Sequence, residues 1–324
     1  MTVTRRNLLF GSAALAAGTA VSLPFFLPRY HAVRRPRRSS VAILRVNDYS
    51  ERLEQTLWEG LNLFAINVQN KSVLLKPNLV DYIPGSAINT HPLLVIAAVE
   101  CFRRLGARSI TVGEGPGHQR DTQLVLEQAG YSQPLREQRI RFVDLNRDHL
   151  VRTKLRADYA DLKTLWLPRT VLDSDFIVSM PKVKAHHWSG VTLSMKNLFR
   201  VVPGSKYGWP KNVLHWQGIQ ESILDICATV PIHFVIADGI LAMEGNGPLN
   251  GTPRPLGSIV LADDPVAADA TCARLMGFEP DRIAYIHESG KFLGNSSVAR
   301  IDQIGESVRA PSIPFAVVPE FRYL

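Results

Sequence analysis

From residue 41 onward the chain alternates short apolar runs with stretches of helical periodicity, and that rhythm constrains its fold more than any single motif. Residues 41–46 read as a strand, and 49–64 place Leu53, Leu57, Leu61 and Phe64 at helical spacing. Residues 72–77 read as a buried strand. Residues 91–105 read as a helix with Pro92 in its first turn and Gly106 at its end. A strand at 108–113 and a helix at 122–129, closed by Gly130, follow. Strand signals return at 140–143, 176–179, 234–237 and 258–261, and helix signals near 193–198, 219–228 and 265–276. This order predicts an α/β fold: a largely parallel, doubly wound sheet with helices on both faces, as one body or two closely joined lobes.

The 324 residues are 46% hydrophobic and 20% charged, enough apolar material for a large core. The net charge of +8 is localised. Residues 1–40 hold Arg5, Arg6, Arg29, Arg34, Arg35, Arg37 and Arg38 and no acid, so the remainder is close to neutral. The basic face expected of a nucleic-acid binder is therefore missing. Cys101, Cys227 and Cys272 are far apart with no C-x-x-C spacing, so neither a cysteine-ligated zinc site nor an iron–sulfur cluster is expected. Cys101 and Cys272, inside helical patterns, read as buried small apolar residues.

Arg5-Arg6 precedes an apolar, Ala- and Gly-rich run that resembles a twin-arginine export signal. Residues 1–28 read as a signal or retained anchor, 29–40 as a basic linker able to lie on anionic lipid, and 41–324 as the α/β body. More arginines follow the apolar run than precede it, contrary to the positive-inside tendency. The expectation is still export by the twin-arginine machinery to the periplasm or another extracytoplasmic space.

In open α/β sheets ligands gather beyond the carboxyl ends of the strands. Polar segments stand after five of the expected strands here: Lys76-Pro-Asn78, the loop 113–117, the segment 179–204, the segment 238–247, and Asp263-Asp264 before Pro265. The 179–204 segment, expected to be loop followed by a short helix, carries Lys182, Lys184, His186, His187, Lys196 and Asn197 within a short span. Such groups are costly to bury without partners, which points to a site.

Leu75-Lys-Pro-Asn78, Thr90-His-Pro92, Gly113-Glu-Gly-Pro-Gly117, Pro181-Lys-Val-Lys184, Thr192-Leu-Ser-Met-Lys-Asn-Leu198, Val202-Pro-Gly204 and the 238–248 run resemble the family called domain of unknown function 362. The resemblance covers roughly residues 41–290. Many members carry a cysteine-rich, ferredoxin-like segment that this chain lacks. Around Lys196-Asn197 and Pro203-Gly204 the chain is more distantly similar to the nickel-dependent lactate racemases, with no metal or cofactor carried over.

Ten of the 37 basic residues are lysines, and Lys76, Lys182, Lys184, Lys196, Lys206 and Lys211 all fall in or beside these segments. Lysine offers a compact ammonium whose pKa falls on burial, so it serves as anion contact, acid or base. Lys182, Lys184, His186, His187 and Lys196 are the candidate catalytic residues. Lys76, Asn78, His91, Glu114, Gly115, Gly117, Asn197 and His215 are candidate ligand contacts, with His91 at a helix start and Gly115 and Gly117 in a loop able to cradle phosphate. Asp238 and Glu244 are the candidate pair for a divalent cation, or else orient the lysines. One of Asp263 and Asp264 is expected to cap the helix that follows. The expected function is an enzyme acting on a small anionic molecule; the alternative is a non-catalytic periplasmic binding protein for an anionic ligand or cofactor.

Overall fold

The computed structural model describes residues 35–50, 52–117 and 119–324, so the segment expected to be a signal or anchor and the first part of the expected linker lie outside the described residues. Its strands are β1 (Ser39–Arg45), β2 (Ser72–Pro77), β3 (Ser109–Glu114), β4 (Arg141–Asp144), β5 (Leu150–Lys154), β6 (Thr164–Pro168), β7 (Phe176–Met180), β8 (Lys182–His186), β9 (Gly190–Thr192), β10 (Phe234–Asn246), β11 (Asn250–Ala262) and β12 (Ile301–Gly305). The helices used below are α1 (Leu53–Leu61), α2 (Pro92–Arg104), α3 (Thr122–Gln128), α4 (Ser194–Leu198), α5 (Ile219–Thr229), α6 (Pro265–Leu275) and α7 (Ala284–Phe292).

The large sheet runs β12-β1-β11-β10-β7-β2-β3-β4, with β8 added on β10 and β9 on β8. Most neighbours are parallel. The alternating residues of its central strands are apolar on both sides, as a sheet covered on both faces requires. Leu74, Ile177, Val235 and Val260 enter one buried cluster together with residues of α5, α6 and α7. Val73, Leu75, Val178 and Ile236 enter the other, with α1, α2 and α3. The helices thus lie on both faces of one continuous sheet, rather than in two lobes.

Three local expectations are corrected. Residues 182–186 form strand β8, not a loop, because Pro181 interrupts β7 and the chain then resumes pairing along β10. Residues 238–246 are likewise strand: β10 and β11 form a long antiparallel hairpin with a bulge between Gly239 and Leu241. Residues 35–40 are not free linker. Ser39 and Ser40 pair with β12, Arg38 bonds Asp302, and Ser39 donates to Asp264 at 2.6 Å. Asp264 also caps α6 by accepting the Val266 N–H at 2.8 Å, as the sequence anticipates.

Candidate functional site

Parallel strands β2 and β3 deliver their carboxyl ends side by side, so Lys76 and Glu114 meet. The Lys76 ammonium lies 2.9 Å from Glu114 Oε2, and both side chains are fully buried. Glu114 also accepts the backbone N–H groups of Leu79 (2.9 Å) and Gly115 (2.7 Å). Lys76 also donates to the Pro77 carbonyl (3.0 Å) and to Asn197 Oδ1 (3.2 Å). Burial lowers the Lys76 pKa to about 8; Glu114 opposes that shift and Arg200 adds to it.

Asn197 is the knot of this layer. Its amide nitrogen donates to the Lys76 carbonyl (2.9 Å) and Ser179 Oγ (3.1 Å), and its Oδ1 accepts from Asn78 Nδ2 (3.1 Å). Asn78 Oδ1 in turn accepts from Lys184 at 2.7 Å, and Lys184 also donates to the Ile88 carbonyl at 2.7 Å. Lys184 is fully buried with no carboxylate partner among the described residues. Burial first, then Arg200 and Lys182, push its pKa well below the ordinary range. Asp269 on α6 seats the helix that carries Lys196 and Asn197: it accepts the N–H groups of Ser194 (2.7 Å) and Met195 (3.1 Å) and the Ser194 hydroxyl (2.5 Å).

A second group holds Lys182. Its ammonium is 2.6 Å from Asp238 Oδ2 and 2.9 Å from the Tyr49 hydroxyl. Asp238 also accepts from Tyr49 (2.7 Å) and from the His91 backbone N–H (2.9 Å). The Tyr49 and His91 rings stack with centroids 3.8 Å apart. His91 caps α2 through Nδ1, and burial lowers its pKa to about 4. Asp238 is thus in contact with Lys182, the arrangement its second expected role requires. Glu244 belongs elsewhere: it pairs with Arg254 at 2.6 Å and accepts the Ala316 N–H at 2.9 Å. The two carboxylates share no partner, so the structure does not bring Asp238 and Glu244 together as the expected divalent-cation pair. No cluster of three or more His, Cys, Asp or Glu able to hold a metal occurs among the described residues.

Beside this polar layer opens a cavity of about 140 Å³. Buried His186, Lys196, Phe199 and Lys211 form its floor; His187, Arg200, Pro210, His215, Pro248 and Leu249 its walls; exposed Trp188 and Asn250 its rim. No carboxylate lines it. The Lys196 ammonium lies 3.8 Å from the Phe199 ring centroid and finds no hydrogen-bond acceptor among the described residues. Arg200 Nη1 is sealed from solvent and also unpartnered. Lys211 donates to the Val202 carbonyl (2.5 Å) and lies 3.4 Å from Asn146 Oδ1. Burial, with Arg200 second, lowers Lys211 to about 7 and pushes Lys196 well below its ordinary value.

His186 Nδ1 accepts the backbone N–H groups of Trp188 (3.0 Å) and Ser189 (3.3 Å), which leaves the ring proton on Nε2. Burial, then Lys196, keep the ring neutral. His187 Nδ1 is 2.6 Å from the Gly247 carbonyl and His215 Nδ1 is 3.2 Å from the Lys211 carbonyl. Gly247 approaches β8 so closely that a Cβ would lie 2.0 Å from the Ala185 carbonyl oxygen.

Of the sequence candidates, His186, His187, Lys196 and His215 line the cavity. Lys76, Asn78, Lys182, Lys184, Glu114 and Asn197 form the buried layer beside it, and His91 closes the Lys182 group. Gly115 and Gly117 act as packing positions: a Cβ on Gly115 would meet the Asn146 side chain at 3.0 Å, and one on Gly117 would meet Arg200 at 3.3 Å. Arg200, Lys211, Trp188, Tyr49 and Asn146 were not among the site candidates. Lys211 carries one signal that is visible only in the backbone, a left-handed φ of 74° in a residue that is not glycine.

The family model described as "Domain of unknown function (DUF362)" matches residues 73–274. The "Thylakoid-associated protein sll1697" of Synechocystis sp. is 28% identical over 218 residues, which is 65% of this chain and 64% of that protein. The chain thus spans a little under two thirds of that relative. Two solved structures are similar at lower identity. One, a Thermotoga maritima protein, has a TM-score of 0.34, 15% identity, and coverage of 62% of this chain and 53% of that one. The other, the lactate racemase apoprotein of Thermoanaerobacterium thermosaccharolyticum, has a TM-score of 0.41, 10% identity, and coverage of 65% and 52%. The family match takes in β8, α4 and all but the first residue of β2, which supply Lys76, Lys182, Lys184 and Lys196, and by it the chain belongs to the DUF362 family.

Proposed function

We propose that this chain is an enzyme that binds a small anionic substrate in the cavity through Lys196, Arg200 and Lys211. The observation that carries this reading is a buried, acceptor-free Lys196 ammonium, with the charges of Arg200 and Lys211 acting on it, in a cavity lined by no carboxylate. Among the described residues no acid acts on buried Lys196, whereas Glu114 acts on both Arg200 and Lys211; a buried cation without a counter-charge is costly, and a substrate anion supplies the acceptor that Lys196 lacks. A bound anion favours the protonated form of Lys196 and Lys211, so the two lysines hold the substrate and polarise its oxygen atoms.

His186 is the proton carrier of this scheme. Its two backbone contacts fix the tautomer and present Nε2–H as the donor, a defined proton position that a passive anion contact does not need. Lys182, Lys184, Lys76 and Asn197 keep the floor rigid from behind. Native mass spectrometry of the purified protein tests the binding step. The wild type retains a small anion that Lys196→Met loses at unchanged fold; equal retention by both removes Lys196 from the scheme. Turnover of the retained compound by wild type, lost in His186→Gln, separates enzyme from binding protein.

We also place the protein outside the cytoplasm. Arg5-Arg6 ahead of the apolar run supports export, and the name of the Synechocystis relative supports a membrane-associated setting. No helix among the described residues is long and apolar enough to cross a membrane. Arg5→Lys with Arg6→Lys should retain the chain in the cytoplasmic fraction.

A further inference from the structure

We infer that the anion taken by this cavity carries a flat, unsaturated ring of about the size of benzoate. The inference rests on the anion-binding reading above and adds the identity of the substrate's body. The cationic end of the cavity is buried, with the Lys196 ammonium 3.8 Å from the centroid of the Phe199 ring. Lys196, which has no hydrogen-bond acceptor among the described residues, and the unpartnered Arg200 Nη1 lie at buried positions. From there to the exposed rim the wall is dominated by rings.

His215 stands between Phe199 and Trp188, with centroids 5.2 and 4.9 Å away and ring planes inclined by 67° and 68°. Trp188 meets His187 edge to face at 4.5 Å and 79°. These steeply inclined rings form a corner that offers both faces and edges to a guest, the two geometries that aromatic pairs prefer. An aliphatic acid would be met by Leu, Ile and Val side chains. Here Leu249 is the one branched aliphatic residue on the wall, beside two prolines.

Size narrows the class further. The volume of about 140 Å³ is close to the roughly 150 Å³ cavity that holds one benzene. Inorganic phosphate or acetate would engage the cations and leave the ring-lined part uncovered. Trp188, half exposed at 50%, then becomes the outer face of the bound ring rather than an unused indole at the surface.

Calorimetric titration of the purified protein with benzoate, cyclohexanecarboxylate, acetate and inorganic phosphate tests this. Benzoate should bind about threefold to tenfold more tightly than cyclohexanecarboxylate, the contribution of one aromatic pair, and more tightly still than acetate or phosphate. Trp188→Ala, a surface change checked by its unchanged thermal midpoint, should bring benzoate down to the affinity of cyclohexanecarboxylate. Equal binding of the two ring acids, or tighter binding of acetate or phosphate, overturns the ring while leaving the anion site intact. If none of the four binds at millimolar concentration, the anion-binding reading fails and this inference fails with it.

Discussion

Asp238 Oδ2 lies 2.6 Å from the Lys182 ammonium with both groups buried, and the Tyr49 hydroxyl touches both. Charge from β8 is thereby neutralised by charge from β10, and the segment before α1 is fastened across the pair. Removing one partner leaves a lone charge in the interior. Asp238→Ala should cost about 3–5 kcal/mol in urea unfolding. The double variant Lys182→Met with Asp238→Leu should cost clearly less than the sum of the two single changes. Additive costs would show that the ion pair carries no coupling.

Stability should rise with pH through a window set by the buried lysines. Lys211 titrates near 7 in the fold against an ordinary 10.5, because burial disfavours its charge, and Lys76 near 8 for the same reason. Between the folded and ordinary values the unfolded chain binds the proton and the folded chain does not. The unfolding free energy therefore increases with pH from about 7 towards 10.5, and the whole penalty is present below 7. Its size is on the order of a few kcal/mol. Lys211→Met should flatten the dependence of the urea midpoint between pH 7 and 9.5. Anion binding has the opposite sign: the bound anion favours protonated Lys211, so affinity should weaken as pH rises above about 7.

Gly204 makes room for an indole. A Cβ there would lie 2.4 Å from the Trp209 ring, and the next two residues, Pro210 and Lys211, line the cavity. Gly204→Ala must displace that ring. It should cost about 1–3 kcal/mol and lower anion affinity by about tenfold or more. A stability loss with unchanged affinity would uncouple Trp209 from the cavity.

The three cysteines should be silent towards dithiobis-nitrobenzoate in the folded protein. All are buried. Burial raises the Cys101 thiol to about 12 and the Cys227 and Cys272 thiols well above their ordinary range. Reaction of all three thiols only after addition of urea is the expected result.

Strand β2 and helix α2 lie within a residue of where periodicity, Pro77 and Gly106 put them. There the local pattern and the tertiary environment agree. Strand β8 was hidden because Lys182, Lys184 and His186 give it the composition of a loop. It is buried along its whole length because Asp238, Asn78 and the Ile88 carbonyl, all remote in the chain, receive the two lysines. Tyr49 was invisible for the same reason: its role depends on Asp238 lying across the sheet, and no neighbouring residue signals it. Arg200 and Lys211 could be seen as charges, but their convergence on Lys196 depends on how the chain turns between residues 199 and 211.

The segment 313–324 fastens two rims at once. Glu244 and Arg254 near the tip of the β10–β11 hairpin bind the backbone of residues 313, 314 and 316, and Gly245 donates to the Ala316 carbonyl. Leu324 and Phe321 rest on Gly190, next to the turn that bears Trp188. Pro248, Leu249 and Asn250 lie at the tip of that hairpin, so the tail works like a buckle joining the two lips of the binding chamber. Trimming the tail would loosen the chamber's mouth without touching any residue inside it.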